Sequence, residues 1–242
     1  DAMFLLEGDE KALLIDTGTG VFDIPELVRQ LTNKPVMVAL PHGHIDHAGG
    51  MDQFEEVYLH PADFAMAQAV TPEERGGYVD TMLSMSDGIY SVTRYDVVVP
   101  KTRARLLPLQ GGTYLTPGGL SYLDKKERLL FSGDACNMNT LLAAMGQPAT
   151  ERTCVTALKQ TAEKLEALHP YYDRHYNGHI GYADAKSCMP MPECLVRDCI
   201  ALCENLLSGT IVGEKVENPF CGECRLARNN TMQIVYRDDQ VK

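Results

Sequence analysis

Short apolar runs separated by polar turns fill the first part of the chain, and apolar residues at helical spacing fill much of the rest. Ala2-Met3-Phe4-Leu5-Leu6 and Lys11-Ala12-Leu13-Leu14-Ile15 flank the polar Glu7-Gly8-Asp9-Glu10, which predicts a β-hairpin. Asp23 ahead of Pro25, with Glu26 three residues on, predicts a helix start, the helix running through Leu27, Val28 and Leu31. Pro35-Val36-Met37-Val38-Ala39-Leu40 has the length and the lack of polar interruption of a strand buried on both faces. Another strand is expected at Val57-Tyr58-Leu59-His60, a helix over about 61–70, and a further helix start at Thr71-Pro72-Glu73-Glu74. Residues 76–95 are weakly periodic and rich in Met, Tyr and Ser, so a lid or a surface insertion is expected around 71–100.

Leu120-Ser121-Tyr122-Leu123 and Arg128-Leu129-Leu130-Phe131, about the polar Asp124-Lys125-Lys126-Glu127, predict a second hairpin. Val155, Leu158, Ala162, Leu165 and Leu168 recur at three- and four-residue steps, the mark of an amphipathic helix from about residue 151. Leu195, Cys199, Leu202 and Leu206 predict another over 192–207, and Met232-Gln233-Ile234-Val235-Tyr236 reads as an edge strand. No repeat, linker or low-complexity run interrupts the pattern, so one domain over 1–242 is the economical reading.

Composition narrows this picture. The 242 residues are 45% apolar and 23% charged, enough to fill a core, and no run approaches the roughly 18 apolar residues of a membrane span. A formal charge of −11 disfavours a broad phosphate-binding surface, so a small-molecule substrate is expected rather than nucleic acid or a membrane. No charged-then-apolar leader opens the chain, which makes the cytoplasm the expected compartment. The eight cysteines read mostly as reduced thiols. Cys199 and Cys203 could share a helical face, and Cys221-Gly222-Glu223-Cys224 is a lone pair that signals a structural metal knuckle or a redox couple only weakly.

The chemistry concentrates in Leu40-Pro41-His42-Gly43-His44-Ile45-Asp46-His47-Ala48-Gly49-Gly50, where four potential metal ligands fall within six residues. His42 and His44, two apart in extended chain, point the same way. Asp46 and His47 are adjacent, and as the chain turns they can diverge toward a second ion. Imidazole and carboxylate donors suit zinc, with iron or manganese as alternatives. Asp134, just past an apolar strand, lies where α/β proteins place chemistry, and His179 follows a glycine. His60, His169 and His175 are read as ordinary hydrogen-bonded residues.

The His-x-His-x-Asp-His pattern after a hydrophobic strand resembles the signature of the metallo-β-lactamase-fold hydrolases. The resemblance implies that His42 and His44 bind a first metal and Asp46 and His47 a second. Leu129-Leu130-Phe131-Ser132-Gly133-Asp134 resembles the strand whose aspartate bridges the two, and Tyr176-Asn177-Gly178-His179 the segment supplying the last histidine. Asp16-Thr17-Gly18 resembles a segment beneath the metal loop, where Asp16 would support a ligand or serve only as a turn carboxylate. The implied fold is α/β, a four-layer αβ/βα sandwich of two mixed β-sheets with helices outside and the metals at one edge between the sheets. The implied reaction is hydrolysis by a metal-bound hydroxide, with Asp46 orienting it and shuttling its proton.

The Asp46-His47 pair fits the glyoxalase II-like, lactonase and phosphodiesterase branches and disfavours the lactamase branch that carries arginine after the aspartate. A thioester or other acyl ester of a small molecule is the expected substrate. Two rival readings are an iron-dependent oxidoreductase on the same fold and a non-catalytic binding or sensor protein. The second draws on one departure: the stretch corresponding to the family's third-histidine loop, residues 109–120, contains no histidine. Either that ligand is lost, or a loop of several residues belongs to the whole polypeptide and not to this sequence. The start at Asp1, without a methionine or the family's usual first strand, favours the latter.

Overall fold

A computed structural model describes residues 2–85, 91–110, 119–142, 150, 153–179 and 189–242. Chain contacts gather into two compact units, Asp1–Gly111 and Gly112–Lys242. In the first unit the expected hairpin forms from β1 (Phe4–Glu7) and β2 (Ala12–Ile15). Helix α1 (Ile24–Leu31) then crosses to β3 (Val36–Ala39), which lies parallel to β2. The α1 start is the one its residues encode: the Asp23 carboxylate accepts the Glu26 amide at 2.8 Å, with Pro25 in the first turn. The helix lays Ile24 and Val28 into a core with Leu14, Val38, Leu40, Val57 and Leu59. Strands β4 (Glu56–Leu59) and β5 (Arg105–Pro108) extend the sheet in parallel, giving the order β1-β2-β3-β4-β5.

Parallel strands bring their carboxyl ends to one edge. The register Ile15↔Ala39 sets the loop after β2 beside the loop after β3, which carries the histidine motif. Helix α2 (Ile45–Ala48) begins inside the motif and ends at Gly49. The reason is close packing: a side chain on Gly49 would sit 2.6 Å from the Thr19 carbonyl oxygen. Helix α3 (Phe64–Ala69) follows β4. Helix α4 (Pro72–Ser84) occupies much of the stretch expected as a lid or insertion. It runs through Gly76 and Gly77, each costing about 1 kcal/mol relative to alanine, because a complete Thr71/Glu74 capping box starts it and Arg75 and Val79 are buried beneath it.

In the second unit, β6 (Tyr122–Asp124) and β7 (Leu129–Phe131) form the expected hairpin. Strand β8 (Asn139–Leu141) and helix α5 (Val155–Ala167) come next, then β9 (Arg174–Tyr176), which pairs parallel with β7 in the order β6-β7-β9. Helix α6 (Leu195–Leu207) packs on α5, and their apolar faces, with Leu158, Leu165, Leu195, Cys199 and Leu202, make the second core. Strands β10 (Glu214–Asn218), β11 (Gly222–Arg228) and β12 (Gln233–Tyr236) close the chain in a sheet ordered β10-β11-β12-β8.

That order corrects one expectation. β12 is not an edge strand, because β8 pairs with it in parallel through Ile234↔Thr140. β8 reads Asn-Thr-Leu and has no apolar run to announce it, while Ile234 and Tyr236 are fully buried. Cys221 and Cys224 belong to the β10–β11 hairpin. Burial pushes the Cys221 thiol up to about 11. Among the described residues the three sheets are all mixed, and no helix is long and apolar enough to cross a membrane.

Candidate metal centre

The first unit assembles its donors from the two loops at the carboxyl edge of its sheet. His42 is buried and His44 exposed, and His42 Nε2 lies 2.9 Å from His44 Nδ1. Two imidazole nitrogens on a tetrahedral zinc at 2.0–2.1 Å stand roughly 3.3 Å apart, so the pair fits one ion with little movement. Gly43 holds the two in place. Its amide donates to Asp63 Oδ2 at 3.0 Å, and an added side chain would sit 2.8 Å from the Asp63 carbonyl oxygen.

His47 is fully buried, and its Nδ1 pairs with Asp16 Oδ2 in a short contact. A carboxylate there assigns the proton to Nδ1 and leaves the lone pair on Nε2, the atom a metal would take. Nε2 faces Asp46 Oδ2 at 3.6 Å. The Asp16 segment is itself wired to α2: Thr17 donates from Oγ1 to the His47 carbonyl at 2.7 Å, and the Gly50 amide donates to the Gly18 carbonyl at 3.2 Å. Asp46, nearly buried, accepts at Oδ2 from the Tyr78 hydroxyl at 3.2 Å. Tyr78 escaped the sequence analysis, since it lies in α4, where weak periodicity singled out no residue.

The second unit sets a donor pair of its own at the ends of β7 and β9. Their parallel pairing continues past the strand ends, with the Ser132 amide donating to Tyr176 O at 2.8 Å and the Gly178 amide to Gly133 O at 3.1 Å. Gly133, at φ 55°, turns the chain so that Asp134 Oδ1 meets His179 Nε2 at 3.0 Å. His175, one strand position from this pair's support, points inward instead: its Nε2 lies 2.7 Å from Ser132 Oγ, and burial lowers its pKa to about 4. His60 accepts the Ala62 amide at 3.2 Å, and His169 lies 3.3 Å from an Arg197 nitrogen. The stretch 111–118, within the loop that lacks a histidine, is outside the described residues.

In each unit the donors are imidazole nitrogens and carboxylate oxygens, at separations that a shared ion would span. Such a set suits a divalent transition ion, and the Asp16 support of His47 is what a ligating imidazole needs on its far nitrogen. Residues 2–143 match the family model described as the Metallo-beta-lactamase superfamily, more than half of the chain. The chain belongs to that superfamily. Among individual proteins it is similar to acyl-coenzyme A thioesterase MBLAC2 of Homo sapiens, 27% identical over 176 residues that cover 58% of this chain and 60% of that protein. The chain thus spans about 60% of the length of this relative.

Solved structures that share its fold include two with different activities in their names. One is a double mutant of the sec-alkyl sulfatase PisA1, at TM-score 0.58 and 16% identity over 86% of this chain and 39% of that one. The other is the DIM-1 metallo-beta-lactamase, at TM-score 0.51 and 13% identity over 84% and 86%. The metallo-β-lactamase fold expected from the motif is the fold of this chain.

Proposed function

We propose that this chain is a metal-dependent hydrolase of acyl thioesters carried on a small molecule. The observation that carries the reading is the buried His47, oriented by Asp16 with its Nε2 turned to Asp46. An imidazole held in one tautomer beside a second ligand is a prepared metal site rather than a core histidine. The thioester follows from the likeness to acyl-coenzyme A thioesterases, and the Asp46-His47 pair supports a place near the glyoxalase II-like branch.

Two divalent ions, zinc first, are the proposed cofactor. His42 and His44 would hold one and Asp46 and His47 the other, and Asp134 and His179 are the proposed metal ligands of the second unit. When bound, such ions supply a water whose pKa is lowered toward ~7 and polarise the substrate carbonyl. Asp46 would orient that water and take its proton as the oxygen–carbon bond forms. The carbon–sulfur bond then breaks, and the proton passes to the departing sulfur, giving a carboxylic acid and a thiol.

The test is thiol release from acyl-coenzyme A substrates by the zinc-loaded full chain. Turnover should fall at least ~100-fold in Asp46→Ala, with an unchanged circular dichroism spectrum. No turnover by the loaded wild type, or full turnover in Asp46→Ala, would sink the reading.

A further inference from the structure

Helix α4 meets the metal loop at two points. Arg75, Tyr78 and Val79 lie three and four residues apart and so share a face. Arg75 is 4% exposed, and its Nη1 donates at 2.7 Å to the carbonyl of Gly49, where α2 ends. A guanidinium suits that place, because carbonyls at a helix end have no partner within the helix. One turn further along α4, the Tyr78 hydroxyl donates at 3.2 Å to Asp46 Oδ2. This is the carboxylate oxygen that faces His47 Nε2 at 3.6 Å. Arg75 therefore fixes where α2 ends, and Tyr78 fixes how a carboxylate in its first turn is rotated.

We infer that Tyr78 is a positioning residue: it holds the Asp46 carboxylate in register with His47 for a shared metal ion, from a helix that Arg75 anchors to the same loop. An ionised carboxylate oxygen has two lone-pair directions, so Oδ2 can accept the phenol and still face an ion. The bond removes the freedom of the carboxylate to swing away, and it draws charge from the oxygen, leaving the ion more electron-poor. This inference rests on the proposed metal site and is independent of the proposed substrate.

The experiment is titration of the metal-free full chain with Co2+, read by its visible absorption, for the wild type and Tyr78→Phe. Phenylalanine keeps the ring and removes only the hydroxyl. Circular dichroism and the thermal midpoint should stay near the wild type. Affinity for the Co2+ bound at Asp46 and His47 should weaken about 10-fold, the usual loss when an outer hydrogen bond to a ligand is removed, and the absorption band of that ion should shift. With an acyl-coenzyme A substrate, kcat should fall while KM moves little. An unchanged Co2+ affinity and band in Tyr78→Phe overturns the inference, as does a wild type that binds no Co2+. If the band shifts in Tyr78→Phe but the wild type releases no thiol, the thioester reading fails and the positioning role stands.

Discussion

At Asp16 the backbone sits at φ 78°, which costs a non-glycine residue roughly 1–2 kcal/mol. Its side chain accepts the Gly18 amide at 2.7 Å through Oδ1 and holds His47 Nδ1 through Oδ2. Asparagine tolerates this conformation and can keep the Gly18 bond. It would, however, present an N–H donor to His47 Nδ1 and force the ring proton to Nε2. Asp16→Asn should therefore lose zinc affinity by ~10- to 100-fold, measured by competition with a chelator, at little cost in thermal midpoint. His175 gives a pH signature of a different kind. Its pKa falls from 6.5 to about 4 on folding because burial disfavours the imidazolium. The unfolded chain then binds more protons between those values, so stability is full above pH 6.5 and declines as pH drops toward 4. The loss should be on the order of 3 kcal/mol, read from denaturant midpoints across that range, and His175→Gln should flatten the profile.

Two elements decide how firmly the first-unit donors are held. Helix α4 starts on the Thr71/Glu74 capping box, with the Glu74 carboxylate accepting the Thr71 amide at 2.9 Å. Thr71→Ala should cost about 1 kcal/mol of stability in denaturant unfolding. Helix α2 has only four residues and cannot persist by itself; Thr17, Gly50 and Arg75 tether it. Gly49 lets it pack so closely, and Gly49→Ala should destabilise by about 3 kcal/mol or fail to fold, as judged by unfolding midpoint or soluble yield. The elements differ in how readable they were. Helix α1 carries its own start signal in Asp23, Pro25 and Glu26. The course of α4 beyond Gly76 is set by burial of Arg75 and Val79, which no local pattern records.

Over the whole molecule, a ligand that binds only the folded chain stabilises it in proportion to the logarithm of its concentration. Zinc at 100 times its dissociation constant should add about 2.7 kcal/mol to unfolding, and a chelator should remove it. In Asp46→Ala the increment should shrink, which thermal melts with and without zinc would show. Each unit has its own core, one built on β1 to β5 and the other on α5, α6 and the strands around them. Each core also supports its own donors, through the loops after β2 and β3 in the first unit and after β7 and β9 in the second.

What the sequence determined alone is what neighbours in the chain decide among themselves. The four donors from His42 to His47 sit on one loop after an apolar strand, and Asp16, Asp134 and His179 lie in recognisable short segments; hydrophobic period, caps and glycines act over a few residues. Tertiary structure decided the rest. Tyr78 reaches Asp46 across 32 positions of chain, β8 turns β12 from an edge into an interior strand, and Ser132 draws His175 into the core. Those contacts depend on which surfaces the packed sheets and helices bring together. No window of sequence contains both partners of such a contact.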